Sequence, residues 1–328
     1  MPLLFATRSY EYLAPTFVDV DPCFDRGEVL IKTFPDGERY QRIETSVRDR
    51  DVVYLGGTIN DNDTMEMFDA CCAIVAYGAR SLTIVIPYFG YSTMERAKPK
   101  TREVVTAKTR ARLLSAIPEA YNGNRIVFLD LHAEGIPHYF GDRAHQIHSR
   151  GQPIILDAIR EIVAEQGVAD AVIGSADAGG AKRVEYIASE MGGWLPAFIG
   201  KRRIDGGTTE VTNVSADVKG KYVILVDDMT RSGSSLVGGA KSYMDAGAIG
   251  VSAILSHGVY TKSPADTHAM FDGVLDAVYS FDSHPRAVKM VNTLDKPGTS
   301  GIFRIMRCAP VLVDSVLHHL PRGWGGSR

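Results

Sequence analysis

The residues with the clearest chemical potential are two adjacent carboxylates, Asp227 and Asp228. They end the apolar run KYVILVDD at 221–228 and are followed at once by the small-residue loop MTRSGSS. The loop residues Arg231, Ser232, Gly233, Ser234 and Ser235 would turn backbone N–H groups inward. A helix starting near Ser234 adds the partial positive charge of its N-terminus and several hydroxyls. That combination suits a phosphomonoester. The loop lacks the lysine of a Walker-type loop, which argues against a generic ATP cradle. The aspartates would sit about one ribose away from the phosphate, placed to hold sugar hydroxyls and, through water, a metal. Taken alone, the segment also reads as an acidic turn before a serine-capped helix.

Other strand ends carry chemistry of the same kind. In FLDLHAEGIPHYFG at 128–141, Asp130 and His132 follow an apolar run. There His132 can ligand a metal or meet a polyphosphate with Asp130 orienting it, or it is simply a packed or surface histidine. In IGSADAGG at 173–180, Asp177 precedes Ala178, Gly179 and Gly180. Glycines at a helix start let backbone approach a diphosphate, although a plain strand-to-helix turn has the same look. FIGKRRID at 198–205 puts Lys201 and Arg203 on one side of a strand, with Arg202 on the other. Two such cations can neutralise charge on a transferring diphosphoryl group, or form a solvated basic face. FPDGE, from Phe34 through Asp36 to Glu38, is a turn after an aromatic residue and says little by itself. PYFGYSTMERAKPKTREVVTAK at 87–108 mixes Glu95, Arg96, Lys98, Lys100 and Arg102 with Pro99 and has no periodicity. It reads as a mobile lid, about 92–104, that would exclude water from phosphoryl transfer.

Something must hold these loops in place. Apolar runs at 52–55, 82–89, 125–132, 170–177, 221–228 and 248–259 alternate with helical patterns at about 63–78, 104–116, 153–166, 180–191 and 233–246. Apolar strands bounded by helices predict an α/β fold whose parallel sheets are covered on both faces. RIVFLDLH and KYVILVDD are similar strands with similar ends, so two related halves are expected, 1–150 with the lid and 151–328 with the serine loop, dividing near SRGQP at 149–153. In such sheets ligands sit outside the carboxyl ends of the strands, where these residues lie.

With 328 residues, 45% hydrophobic, the chain is long enough for two globular domains. A net charge of −3 provides no basic field, so no nucleic-acid partner is expected and phosphate binding must be local. Cys23, Cys71, Cys72 and Cys308 form neither a disulfide framework nor a zinc pattern, and Cys71 and Cys72 read as small core residues of a helix. The opening MPLLFATRSYEYL carries charge too early for a signal peptide, and no apolar run reaches membrane length. A cytoplasmic protein without a membrane partner is expected. The tail PRGWGGSR is glycine-rich and aperiodic, and no role is assigned to it.

On these motifs the sequence resembles the phosphoribosyl pyrophosphate synthetases, from about Phe34 to Val259. VDDMTRSGSS followed by LSHGVY is similar to their ribose 5-phosphate loop, DLHA followed by HYFG to their metal-nucleotide segment, and DAGG to their pyrophosphate loop. The resemblance implies two similar phosphoribosyltransferase-type domains and a diphosphokinase reaction. The β,γ-diphosphoryl group of ATP, or another nucleoside triphosphate, passes to the C1 hydroxyl of ribose 5-phosphate, giving phosphoribosyl pyrophosphate and AMP. It implies Mg²⁺ at His132 with Asp177 a further contact, and transition-state charge on Lys201, Arg203 and Arg96. Phe34, Asp36 and Glu38 would contact the nucleotide base from a neighbouring subunit, which implies a homo-oligomer. The chain departs from the commonest family form at Arg231, usually acidic, at Ser234 and Ser235, usually Gly and Thr, and at Thr93 and Met94, usually Arg and Gln. TMERAKPKTREVVTAKTRARLLSAIP instead resembles the plant-type second class. That class accepts several triphosphates and lacks phosphate activation and ADP allostery. Two rivals share these motifs: a phosphoribosyltransferase, which would not need the lid or the extra half, and a catalytically silent homologue that regulates a true synthetase.

Overall fold

Runs such as DVVYL, SLTIVI and GVSAILSHG leave no face for water, so they belong in parallel sheets covered on both sides. They lie there in the computed structural model, which describes residues 1–203, 209–294 and 301–320, and for 201–203 and 209–212 the backbone alone. All residues of these three strands are buried. The chain divides into two units, Met1–Arg150 with Cys308–Arg328, and Gly151–Arg307.

The first unit contains β1 (Leu3–Ala6), α1 (Ala14–Val20), β2 (Asp25–Arg26), β3 (Val29–Thr33), β4 (Arg39–Ile43), β5 (Asp51–Leu55), α2 (Asp61–Ala76), β6 (Ser81–Ile86), α3 (Thr106–Leu114), β7 (Asn124–Leu129) and β8 (Ala144–Ser149). A parallel sheet runs in the order β2-β1-β5-β6-β7-β8, and β3 and β4 form a separate antiparallel hairpin. On one face of the sheet Phe5, Tyr54, Ile84 and Phe128 pack against Met67, Cys71 and Ile74 of α2 and Ala111 and Leu114 of α3. Cys71 is thus a core residue of a helix, as expected.

The second unit contains α4 (Gln152–Gln166), β9 (Val172–Ser175), α5 (Ala181–Glu190), β10 (Pro196–Arg203), β11 (Thr209–Val214), β12 (Tyr222–Thr230), α6 (Ser234–Asp245), β13 (Gly250–Gly258), α7 (Pro264–Phe271), β14 (Val278–Phe281), α8 (Pro285–Leu294) and β15 (Phe303–Met306). Its sheet runs β11-β10-β9-β12-β13-β14-β15, parallel except for β11. Val223, Leu225, Ala253 and Leu255 meet Leu236, Ala240 and Tyr243 of α6, Phe271 of α7 and Met290 of α8, while α5 lies on β9 and β10.

One expected boundary differs. The second half was to run to residue 328, but α9 (Ala309–His319) packs with the first unit, on α1, β7 and β8. The reason is its apolar face: Leu312, Val313 and Val316 are buried there, and Ser315 Oγ lies 2.6 Å from Ser149 Oγ at the end of β8. The tail PRGWGGSR lies outside the described residues. Among the described residues, no helix is long and apolar enough to cross a membrane.

The order of the second sheet decides where a ligand can enter. The chain leaves β9 through α5 toward β10, and leaves β12 through α6 toward β13, so β9 and β12 are neighbours from which the chain departs in opposite directions. The crevice outside their carboxyl ends is the topological switch point. Tyr243 of α6 stitches it: its buried hydroxyl donates to the Ser175 carbonyl at the end of β9 (3.0 Å). Tyr243→Phe leaves that carbonyl unpaired and should cost about 1–2 kcal/mol of stability. A lowered urea midpoint checks this; an unchanged midpoint contradicts it.

Candidate phosphate and diphosphate site

β12 carries Asp227 and Asp228 to the crevice and continues to Thr230, because β13 pairs with it as far as Thr230↔Gly258. The turn therefore begins at Arg231. Beyond β13, Thr261 holds it from behind: its N–H and hydroxyl both donate to the Arg231 carbonyl (2.8 and 3.3 Å). Gly233 has φ +83°, and a Cβ there would lie 2.3 Å from Met270 Cε and 2.6 Å from Phe271 Cζ. Both the conformation and the close approach require glycine. Ser232 Oγ and Ser234 Oγ lie 2.8 Å apart, and α6 begins at Ser234 as the sequence predicts. Arg231, Ser234 and Ser235 are exposed at the helix start, where N–H groups lack intrahelical acceptors.

The aspartates sit deeper. The Asp227 side chain is 33% exposed and that of Asp228 only 10%. Burial pushes the Asp227 pKa well above the usual carboxylate range, and the Asp228 charge adds to it. Arg183 opposes this rise, with Nη1 at 3.9 Å from Asp227 Oδ1 and 3.8 Å from Asp228 Oδ1. Sequence reasoning missed Arg183, whose only signal was a cation three residues past the glycines.

Beside this loop, β9 delivers the turn Asp177–Gly180. Asp177 Oδ1 accepts the Gly179 N–H (2.9 Å), which stabilises the turn by the carboxylate's own side chain. A Cβ at Gly180 would sit 2.2 Å from Ser175 Oγ, so the small residue is needed for packing. Asp177, Ala178 and Gly179 are exposed, directly ahead of α5. The structure thus brings together the expected serine loop and the expected diphosphate turn. Lys201 and Arg203 lie in β10, paired with Val211 and Thr209 of β11 after a register shift at Gly200 and Lys201. Their side chains lie outside the described residues.

The remaining expected residues belong to the first unit. β7 ends at Leu129, and His132 follows on an exposed turn. Asp130 has φ +39°, a strained value for a non-glycine residue at the strand end. The Leu131 N–H donates to His148 Nε2 (3.0 Å), and burial lowers the His148 pKa, which keeps that nitrogen an acceptor. In the lid, Thr93 and Met94 lie in a short helical turn at 92–94, and Arg96, 86% exposed, pairs with Glu95 (3.1 Å). The lid base is anchored: Tyr91 donates to Asp61 (2.8 Å), and Arg110 lies 5.0 Å over the Tyr91 ring. FPDGE closes the β3–β4 hairpin, with Phe34 N–H donating to the Glu38 carbonyl (2.8 Å) and Glu38 N–H to Asp36 Oδ1 (3.0 Å). Phe34 is 47% exposed at its tip.

A buried polar cluster at the ends of β13 and β14 also escaped sequence reasoning. Ser283 Oγ donates to the Ser256 carbonyl (2.8 Å), so its only proton is spent, and His257 Nδ1–H must donate to Ser283 Oγ (2.8 Å). His284 Nδ1 accepts the Arg286 N–H (3.1 Å), and Arg286 Nη1 reaches the Tyr260 carbonyl (3.5 Å), one residue before Thr261. The cluster therefore braces the strand that braces the serine loop. Burial, then the charges of His257 and Arg286, push the His284 pKa from 6.5 down to about 3. Neutral His284 favours folding above its ordinary pKa, and that contribution is lost as pH falls from 6.5 toward 3. His284→Asn keeps an acceptor for Arg286 N–H without titrating. Unfolding free energy should fall more steeply in the parent chain, by roughly 1.4 kcal/mol per pH unit below about pH 6.5. Equal slopes in pH-dependent denaturation would contradict the assignment.

Fold and site together define a two-unit α/β protein with a serine loop and a glycine turn side by side at a switch point. The comparisons with known proteins narrow the class. A model of the N-terminal domain of ribose phosphate pyrophosphokinase matches residues 3–117. The chain is 37% identical over 257 residues to the chloroplastic ribose-phosphate pyrophosphokinase 2 of rice, Oryza sativa subsp. japonica, covering 77% of this chain and 61% of that protein. It is 35% identical over 266 residues to the ribose-phosphate pyrophosphokinase of Nostoc sp., covering 80% and 76%. It superposes on a crystal structure of phosphoribosylpyrophosphate synthetase from Mycobacterium smegmatis with a TM-score of 0.81 and 27% identity, over 97% of this chain and 98% of that one. The chain belongs to the ribose-phosphate pyrophosphokinase family, and a plant member is among its relatives, in keeping with the expected plant-type likeness.

Proposed function

We propose that the chain transfers the β,γ-diphosphoryl group of ATP, or another nucleoside triphosphate, to the C1 hydroxyl of ribose 5-phosphate, yielding phosphoribosyl pyrophosphate and AMP. The observation that carries this reading is the pairing of two different anion sites at one switch point. The loop Arg231–Ser235 suits a phosphomonoester, and the turn Asp177–Gly180 one strand away suits a diphosphate.

In this reading the N–H groups and hydroxyls of Ser232, Gly233, Ser234 and Ser235 hold the 5-phosphate. Asp227 and Asp228 accept hydrogen bonds from the sugar hydroxyls and so fix the ring. The C1 oxygen bonds to the β-phosphorus, and the bond from that phosphorus to the bridging oxygen breaks. Its electron pair leaves with AMP, and the hydroxyl proton passes to solvent. Positioning and charge neutralisation suffice, with no nucleophilic side chain. Backbone N–H groups at 178–180 hold the diphosphoryl group, and Lys201, Arg203 and Arg96 balance its charge. His132 and Asp177, each just after a strand end of its own unit, are the residues this reading gives to a hard divalent cation such as Mg²⁺, with Asp227 and Asp228 reaching it through water. When bound, the cation neutralises the nucleotide phosphates.

Phe34, Asp36 and Glu38, at the exposed hairpin tip, contact the base across a subunit interface, which makes the protein a homo-oligomer. We further assign it to the cytoplasm and to the class that uses several triphosphates without phosphate activation. Release of AMP from ATP, Mg²⁺ and ribose 5-phosphate, with and without added phosphate and again with GTP and CTP, tests the reading. AMP should form without phosphate; none under any condition contradicts it. Lys201→Ala or Arg203→Ala should lower kcat by about 100-fold or more with a much smaller change in KM. An unchanged kcat removes that residue from the mechanism.

A further inference from the structure

Ion pairs elsewhere in this chain show how the fold builds a permanent one. Arg8 meets buried Glu66 at 2.8 Å, with backbone and guanidinium N–H groups both donating, and Arg80 grips buried Asp51 through two nitrogens. Arg183 does neither. Its Nη1 lies 3.9 and 3.8 Å from Asp227 and Asp228, beyond the roughly 2.9 Å of a charge-assisted hydrogen bond. It is one-third exposed, and one nitrogen serves both carboxylates. The guanidinium neutralises the pair without being locked to either member.

Its place in the chain gives this looseness a use. Arg183 is the third residue of α5, in the first turn after Gly180. One end of its reach is the aspartate pair of β12, and its helix begins at the turn Asp177–Gly180. It therefore stands between the two anion sites of this unit and can serve only one strongly at a time.

We infer that Arg183 is a shared cation, held by Asp227 and Asp228 before the substrates bind and handed to the diphosphoryl group when the sugar occupies the aspartates. This rests on the proposed diphosphokinase reaction. Sugar hydroxyls and hydrated cations approach carboxylates more closely than 3.8 Å and displace a loosely held guanidinium. The freed planar fork then matches phosphoryl oxygens, which a lysine at the same place would meet only as a point charge. Arg183 thereby makes the diphosphate turn more attractive once the sugar has arrived. By linkage, nucleotide favours sugar binding to the same degree.

The sign of one effect separates this role from simple structural support. If Arg183 neutralises the pair, its removal withdraws a positive charge from beside two carboxylates, which should then bind a divalent cation more tightly. Mn²⁺ titrations of the full chain should show Kd lowered about three- to tenfold in Arg183→Gln, with the gain abolished in Arg183→Gln/Asp227→Asn. In AMP release, Arg183→Gln should lower kcat roughly 10- to 100-fold with KM for ribose 5-phosphate within about threefold, and Arg183→Lys should recover part of the rate. Mn²⁺ affinity unchanged or weakened in Arg183→Gln, or a full kcat, would overturn the inference. Turnover by the unaltered chain tests the functional reading separately, and the Mn²⁺ comparison decides the neutralising role of Arg183 in either case.

Discussion

Two carboxylates side by side at the end of an apolar strand are the constraint around which the second unit is arranged. Left alone, Asp227 and Asp228 repel each other where water is scarce, and the Asp227 pKa rises accordingly. The fold tolerates them because β13 pairs with β12 through and beyond Asp227 and because Arg183 stands opposite. In the proposed reaction these two carboxylates take the sugar hydroxyls. The serine loop a few residues on provides the complementary affinity for an anion, so one short segment fits both ends of a sugar phosphate.

That segment is held by elements that touch no substrate in this reading. Gly233 fits only because Met270 and Phe271 of α7 leave no room for a Cβ, and Thr261 fixes the Arg231 carbonyl. Behind these lies the buried, hydrogen-bonded cluster of His257, Ser283 and His284. Tyr243 ties α6, which follows the loop, to the end of β9. The supporting cluster is buried and polar, while Ser234 and Ser235 at the mouth of the loop are exposed and small.

Much of this was legible in the sequence because the long strands are unbroken apolar runs and the loops after them carry acids, serines and glycines. The parallel α/β class and the start of α6 at Ser234 follow from such local signals. What the sequence hid depends on contacts between distant residues. Arg183 is one basic residue among several on α5 until the β9–β12 pairing brings it to the aspartates. His284 looks like an ordinary histidine until burial pushes its pKa down. α9 returns to the first unit because its apolar face fits there, a fact that no local pattern encodes. The short strands β1, β2, β14 and β15 carry too few residues for a periodicity to stand out.

The central claim is that the segment from Asp227 to Ser235 recognises a sugar phosphate as one unit, carboxylates on the sugar and loop on the phosphate. Calorimetric titration of the full chain with ribose 5-phosphate, and in parallel with ribose and with inorganic phosphate, tests it most directly. The account predicts measurable binding of ribose 5-phosphate that is more than about 100-fold tighter than either fragment, and that is lost when Asp227 and Asp228 are both replaced by Asn. Binding of inorganic phosphate as tight as ribose 5-phosphate, or unchanged binding after the double replacement, would contradict it.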